Sequence, residues 1–303
     1  MAAPFRHLFG PVPSRRLGRS LGLDLIPLKT CTQNCVFCQV APTDALTAER
    51  REWVPTDEIL AEWDHWKTSG GTEDIVTLSG SGEPTLHARF GEILRRVRRT
   101  GAPKTALFTN GTLLHLPEVR RGAAEADLVK ITLSAPDEGT FRRLHRPASG
   151  ITLANLVEGA RLFRAEYPGT IWLEVMLLPG WNDSPAQLRA LAALARTIRP
   201  DAIDLNTAIR PPLAGLRIPP LSPEALAAAA PLFDPPARVP PPPREPDYRL
   251  MPDDDLLRLL VRHPVSLDSV RRAYAAAPAG ELPSRIARLR LRTEAGHLCA
   301  PAP

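Results

Sequence analysis

Leu21-Gly22-Leu23-Asp24-Leu25-Ile26 is followed, after four residues, by Cys31-Thr32-Gln33-Asn34-Cys35-Val36-Phe37-Cys38. The first run is short and apolar, as a strand buried on both faces of a parallel sheet must be. It leads directly into a loop that gathers three cysteines within eight residues. Similar runs recur at Asp74–Leu78, Thr105–Thr109, Leu128–Leu133, Ile171–Leu177 and Ala202–Asn206. Helical patterns fall between them. Ile59, Leu60 and Trp63 share a face within residues 57–67, and Ser184 with Pro185 opens a helix over 185–198 as cap and first residue. Strands alternating with helices predict βαβ units and a parallel sheet. Six strands with five helices are too few for an eight-fold barrel, so the expected fold is α/β, a partial (β/α)6 TIM-like barrel over residues 20–210. Active sites of such barrels lie in the loops after the strands, so each chemical motif is expected just beyond a strand end.

Outside that core, residues 1–19 read as an N-terminal extension. Between 211 and 252, 14 of 42 positions are proline, including Pro240 to Pro243, which predicts a stiff, extended linker or strap. Residues 253–303 outline a small domain: a helix at 253–262, a Ser266-Leu267-Asp268 turn into a second, Pro283-Ser284 opening a third, and a hairpin from Leu289 to Leu298. Three short helices and a hairpin resemble a winged helix.

The 303 residues, 44% apolar and 23% charged, are those of a globular chain with a full core, which excludes disordered, collagen-like and disulfide-scaffold classes. No apolar run approaches a membrane span and the N-terminus lacks a signal-peptide apolar segment, so a cytoplasmic protein without membrane contact is expected. Lysine supplies four of the 38 basic residues (Lys29, Lys67, Lys104, Lys130), so 34 are arginines, spread over the whole length. The net charge of +5 favours an anionic partner without naming one.

Cys31, Cys35 and Cys38 are close enough to share one metal centre, whereas Cys299 stands alone near the C-terminus. Structural zinc wants four closed ligands, and no histidine lies between His7 and His65, so zinc would need a distant fourth ligand. A four-iron cubane normally takes four thiolates; three would hold three irons and leave the fourth open to an exchangeable ligand. Further loops carry polar residues where the barrel rule puts them. Ser79-Gly80-Ser81-Gly82-Glu83-Pro84-Thr85 follows the second strand, with glycines that let backbone approach a ligand. Thr109-Asn110-Gly111-Thr112 follows the third, and Lys130, Thr132 and Ser134 share one face at the end of the fourth. Glu174 sits inside the apolar fifth strand, where a carboxylate needs a partner, and Asn206 ends the sixth. Arg15, Arg16 and Arg19 form a candidate bidentate clamp for phosphate or carboxylate.

The cysteine spacing, with Phe37 just before the third cysteine, resembles the radical S-adenosylmethionine (SAM) superfamily. The resemblance implies a [4Fe-4S] cluster on Cys31, Cys35 and Cys38, whose open iron is chelated by SAM. One electron then splits the sulfonium and releases a 5′-deoxyadenosyl radical that takes hydrogen from a substrate. It also implies an electron donor such as a flavodoxin or ferredoxin. Ser79 to Thr85 is similar to the family's Gly-Gly-Glu-Pro segment, with Ser81 in place of the second glycine, and implies SAM contacts at Gly80, Gly82, Glu83 and Pro84. Phe37, Asn110, Thr132, Ser134, Glu174 and Asn206 complete the expected cofactor contacts. Ser134 stands where related sequences often carry Asp. Residues 9–22, with 79–85 and 206–212, narrow the resemblance to the wyosine-synthetase-related branch, whose tRNA chemistry makes a tRNA base a candidate substrate. The alternative from another class is an iron-sulfur regulator that binds DNA through residues 253–303, where Arg285, Arg288, Arg290 and Arg292 cluster.

Overall fold

The computed structural model describes residues 5–14, 16–40, 43–210, 216, 218–241, 248–262, 264–294 and 296–301. The main sheet has seven strands. β1 (Leu8–Ser14) and β2 (Gly18–Leu23) form an antiparallel pair at one edge; two-residue strands β3 (Thr30–Cys31) and β4 (Ala45–Leu46) stand apart from it. Then come α1 (Thr56–Thr68), β5 (Ile75–Leu78), α2 (Phe90–Arg99), β6 (Thr105–Thr109), α3 (Pro117–Ala123) and β7 (Leu128–Thr132). α4 (Glu138–His145), α5 (Leu153–Glu166), β8 (Thr170–Leu177), α6 (Pro185–Ile198) and β9 (Ala202–Thr207) complete the core. From β2 to β9 every neighbouring pair is parallel, in the order β2-β5-β6-β7-β8-β9, the curled half-barrel predicted from the alternation. Ser184 caps α6 with a full capping box, its hydroxyl and Gln187 satisfying each other's backbone ends.

Along β8 burial alternates. Ile171, Leu173, Val175 and Leu177 enter the main core under the helices, which leaves Trp172, Glu174 and Met176 on the opposite, concave face. That face is closed at the N-terminal ends of the strands by Ile75, Ala106 and Leu128 with Leu17, Phe108 and Trp172, so its polar residues lie toward the C-terminal mouth.

Three features differ from expectation. The first parallel strand is Gly18–Leu23, not residues 21–26; Leu25 and Ile26 are buried in the same core without pairing, because an apolar run reports burial and not hydrogen bonding. Within the N-terminal extension, residues 8–14 form an edge strand, β1, that the sequence pattern did not indicate. Its Gly10, Pro11 and Pro13 hide it from pattern reading, yet proline is tolerated at an edge. The proline-rich strap contains α7 (Pro223–Ala229), whose Leu226 and Ala229 join the main core with Phe233. Farther on, Arg238 bridges Asp204 in parallel, with Arg238 N–H on Ile203 O at 2.8 Å and Leu205 N–H on Arg238 O at 2.9 Å. The strap thus covers the free edge of β9, which open sheets must protect.

Beyond it, α8 (Asp253–Arg262), β10 (Val265–Ser266), α9 (Leu267–Ala273), α10 (Glu281–Arg288), β11 (Arg292–Glu294) and β12 (His297–Cys299) form three helices and a three-stranded sheet, β10-β12-β11. Its own core of Leu256, Leu260, Val270 and Leu298 also takes in Val12, so the unit docks beside β1. Cys299, on β12, is buried in this unit.

Candidate active site at the mouth of the barrel

The cysteine loop is held from several sides. Thr30 and Cys31 pair with Ala45 and Leu46, and Asn34 N–H and Val36 N–H bond the last carbonyls of α4, His145 O and Leu144 O, both at 2.9 Å. Val36 is fully buried against Leu144. These anchors are backbone and apolar, so Cys31, Cys35 and Cys38 are left as free, half-buried thiols. Phe37 meets His145 edge-on at 5.5 Å, and His145 Nδ1 lies 3.2 Å from Cys35 Sγ. Burial holds His145 well below the usual range, at about 4, so the ring is neutral. His145 carried no sequence signal; only folding α4 under the loop brings it there.

Without a cation Cys31 and Cys35 hold their protons. Burial, then the Glu83 carboxylate, pushes Cys31 up to about 12, and burial followed by its thiol neighbours Cys31 and Cys38 raises Cys35. A bound cation reverses that balance and draws out thiolates. Among the described residues no three His, Cys, Asp or Glu side chains close around a single ion, the arrangement zinc needs. A cubane seats each cysteine on a separate iron, so three soft thiol donors from one loop fit it and leave a corner for another ligand.

The loop after β5 packs against the cysteine loop at backbone distance. A Cβ on Gly82 would fall 1.7 Å from Thr30 O, and one on Gly80, whose φ is +141°, would fall 2.6 Å from Asp24 Cγ. Only glycine allows both approaches. Ser81, the departure from the Gly-Gly pair, has a reason: its N–H bonds Asp24 Oδ1 at 3.1 Å and its hydroxyl donates to Asp24 Oδ2. Glu83 is directed inward rather than at a ligand. Its carboxylate accepts from Thr109 Oγ1 at 2.6 Å, Asn110 N at 2.7 Å, and Thr85 N and Oγ1 at 3.1 and 2.7 Å. Burial outweighs these donors and raises its pKa. Glu83 therefore fixes the β5 and β6 loops to each other, with Pro84 buried beside it. Asn110 completes the seam: its side-chain amide donates to Thr32 Oγ1 at 2.7 Å and reaches Cys31 Sγ at 3.7 Å. Hydrogen bonds to ligating sulfur are one lever on cluster potential.

Thr132, half-buried at the end of β7, pairs with Glu174 in the backbone register, but its side-chain hydroxyl has no hydrogen-bond partner among the described residues. Ser134 is turned inward instead. Fully buried, its Oγ accepts Met176 N–H at 2.9 Å and its carbonyl accepts Asn182 Nδ2, so it locks the β7 and β8 ends rather than facing the mouth. Glu174 has its partners: Lys130 Nζ at 2.8 Å, Asn206 Nδ2 at 2.7 Å and Arg16 Nη2 at 3.4 Å. Burial alone would raise its carboxyl, but Lys130 and Arg16 outweigh that and hold it at about 2. Asp204, fully buried, takes Arg16 and Arg238. The expected arginine clamp is corrected accordingly. Arg16 serves Asp204 and Glu174 inside the barrel, Arg19 serves Asp74 and Thr72, and Arg15 lies outside the described residues.

Asp24 was missed in the sequence, although a lone acid in an apolar run is a legible signal. Besides Ser81 it accepts Arg262 Nε of α8 at 2.7 Å, while Gln39 Nε2, next to Cys38, donates to Arg262 O. One buried ion pair therefore ties the C-terminal unit to both mouth loops. Arg262→Met is expected to lower unfolding free energy by about 2 kcal/mol, less than a wholly stranded charge costs because Ser81 still serves Asp24. Urea titration checks it; an unchanged midpoint would remove the tie.

A half-barrel with three free thiols on a loop at its C-terminal mouth defines an enzyme scaffold with a cofactor-bearing rim. The sequence profile of the radical SAM superfamily matches residues 25–192, and the chain belongs to that superfamily. It is 36% identical to a UPF0026 protein of Synechocystis over 70% of this chain and 78% of that one. It is 36% identical to a protein of Brachyspira hyodysenteriae named GTPase Obg over 68% of this chain, spanning 30% of the longer protein. Among solved structures, TYW1 with a lysine-pyruvate adduct bound aligns over 76% of each chain with a TM-score of 0.55 at 19% identity, a likeness of fold. The chain is thus a radical SAM enzyme, and a [4Fe-4S] cluster and SAM follow from the family. None of these comparisons supports the DNA-binding alternative. Three of its four arginines are occupied as well: Arg285 is buried on Asp253, Tyr248 O and Tyr274 Oη, Arg288 pairs with Asp253, and Arg292 pairs with Glu294. No helix among the described residues is long and apolar enough to cross a membrane.

Proposed function

We propose that Cys31, Cys35 and Cys38 hold the cluster and that SAM lies across the mouth, over the Ser79–Glu83 loop, Asn110, Thr132 and the Glu174–Asn206 pair. In this reading residues 20–210 are the catalytic core and 253–303 a separate winged-helix-like domain, in a cytoplasmic protein served by a flavodoxin- or ferredoxin-like electron donor. The observation that supports it most is the free thiol triad on a loop anchored by the groups around the thiols, its backbone and the Thr32 and Asn34 side chains. When bound, the two cofactors supply a 5′-deoxyadenosyl radical that takes a hydrogen atom from the substrate. The chain supplies the frame. Gly80 and Gly82 bring the β5 loop against the cysteine loop, Glu83 and Asn110 fix the β6 loop to both, and Thr132 offers a hydroxyl without a hydrogen-bond partner among the described residues. Lys130 and Arg16 keep Glu174 an anion, ready to accept hydrogen bonds from a polar ligand.

Anaerobic reconstitution is expected to give about four irons per chain and, with a reductant and SAM, 5′-deoxyadenosine. Zinc in the protected protein, or a cubane capped by four side chains, would overturn the proposal. A tRNA base, raised by the wyosine-synthetase resemblance, is tested by comparing tRNA nucleosides from cells with and without the gene; an unchanged nucleoside profile removes it.

A further inference from the structure

Between the end of β9, the strap and the C-terminal unit lies a cavity of about 780 Å³, within the roughly 300–1,000 Å³ typical of small-molecule sites. Leu205, Leu226, Val239 and Val265 give it apolar walls, and Arg210, Arg272 and His297 stand on its lining. No carboxylate is found among the described lining residues. Two of its residues reach the site already described. Asn206 also bonds Glu174, and Arg210 Nη1 donates to Gln39 Oε1, one residue beyond Cys38.

Arg272 is set apart from its neighbours. On the same unit Arg258, Arg271, Arg285, Arg288 and Arg292 each pair with an Asp or Glu, as does Arg249 of the strap, whereas exposed Arg290, which also has no carboxylate partner among the described residues, is not on the cavity lining. Arg272 has no carboxylate partner among the described residues; its guanidinium is steadied by Ser269 Oγ at 2.7 Å. A permanent cation lacking a counter-ion, beside apolar walls, is the complement of an apolar body that ends in an anionic oxygen group. The pairing of most of the unit's other arginines also leaves little of the continuous basic face that RNA requires.

We propose that this cavity binds a small organic anion, an apolar body ending in a carboxylate or phosphate held at Arg272. Resting on the function proposed above, it is the substrate site, opening beside Asn206 onto the cofactor mouth.

The test is titration of the full chain, before and after cluster reconstitution, with 8-anilinonaphthalene-1-sulfonate as the apolar anion and N-phenyl-1-naphthylamine as its neutral counterpart. One saturable sulfonate site per chain is expected, at least about tenfold weaker in Arg272→Met while neutral-probe binding is unchanged. Because Arg272 and Ile209 are exposed, both variants fold, and Ile209→Glu, which adds a like charge to the lining, is expected to weaken the anion similarly. Competition by phenylacetate or by phenyl phosphate assigns the carboxylate or the phosphate. Equal binding of both probes, indifference to Arg272→Met, or displacement by tRNA and by neither small anion overturns the proposal. Sulfonate binding without 5′-deoxyadenosine formation would leave this site standing and refute the radical SAM assignment of the mouth; the reverse result would refute the cavity alone.

Discussion

Cys35→Ala is expected to leave the chain folded and abolish both the cluster and SAM cleavage. Among the described residues the thiol's hydrogen bonds are to Gln33 Oε1 at 3.3 Å and His145 Nδ1 at 3.2 Å. The bonds that shape the loop belong to the backbone of Asn34, Val36 and Cys38. Removing a half-buried sulfur that makes two weak hydrogen bonds costs about 1 kcal/mol, so thermal unfolding of the metal-free variant should stay within a few degrees of the parent. The metal effect is of another order. Two thiolates would hold only two corners of a cubane, and Cys299, the one other cysteine of the sequence, is buried in the C-terminal unit. Iron content, visible absorbance and 5′-deoxyadenosine after anaerobic reconstitution should all fall to background. Retention of iron and turnover would show that the cluster sits elsewhere.

Glu174→Gln is expected to cost about 3 kcal/mol of stability near pH 7. Glutamine keeps the shape and the bond from Asn206 but leaves Lys130 and Arg16 facing a neutral group, and Arg16 is then held by Asp204 alone. The pH dependence carries the sign. The folded carboxyl is held at about 2, below its unfolded value of 4.5. Its stabilisation is therefore fully present above pH 4.5 and is lost as pH falls through that value toward 2. Glutamine imitates the protonated acid, so the gap between parent and variant should shrink over the same window. Urea midpoints from about pH 7 down to about pH 3 measure it. A gap independent of pH would mean that the variant acts through packing and not through the charge on Glu174.

Much of the mouth could be read from residue order. Thr105–Thr109 matches its strand residue for residue, and the motifs at Cys31–Cys38, Ser79–Thr85 and Thr109–Thr112 fall beyond strands β2, β5 and β6, because parallel strands put all such loops at one rim. What misled was local. Pro11 and Pro13 concealed an edge strand, and Leu25-Ile26 read as a strand because burial and pairing look alike in an apolar run. Ser134 shared a face with Lys130 by alternation, but the chain leaves the sheet after Thr132, and the expected period no longer applied to it.

By itself, the amino-acid sequence determined the half-barrel, from alternating apolar runs and helical periods, and marked the candidate metal loop, from three cysteines in eight residues. Both are properties of neighbours along the chain, where periodicity and spacing act. Only the tertiary structure decided which polar groups are free to meet a ligand and which hold the frame. Glu83 and Ser134 are occupied internally, Arg16 crosses 158 residues of chain to Glu174, and Arg262 crosses 238 to Asp24. Such pairings follow from which elements pack together, and burial makes each one obligatory, because a charge taken from water must find its partner wherever the fold has placed it.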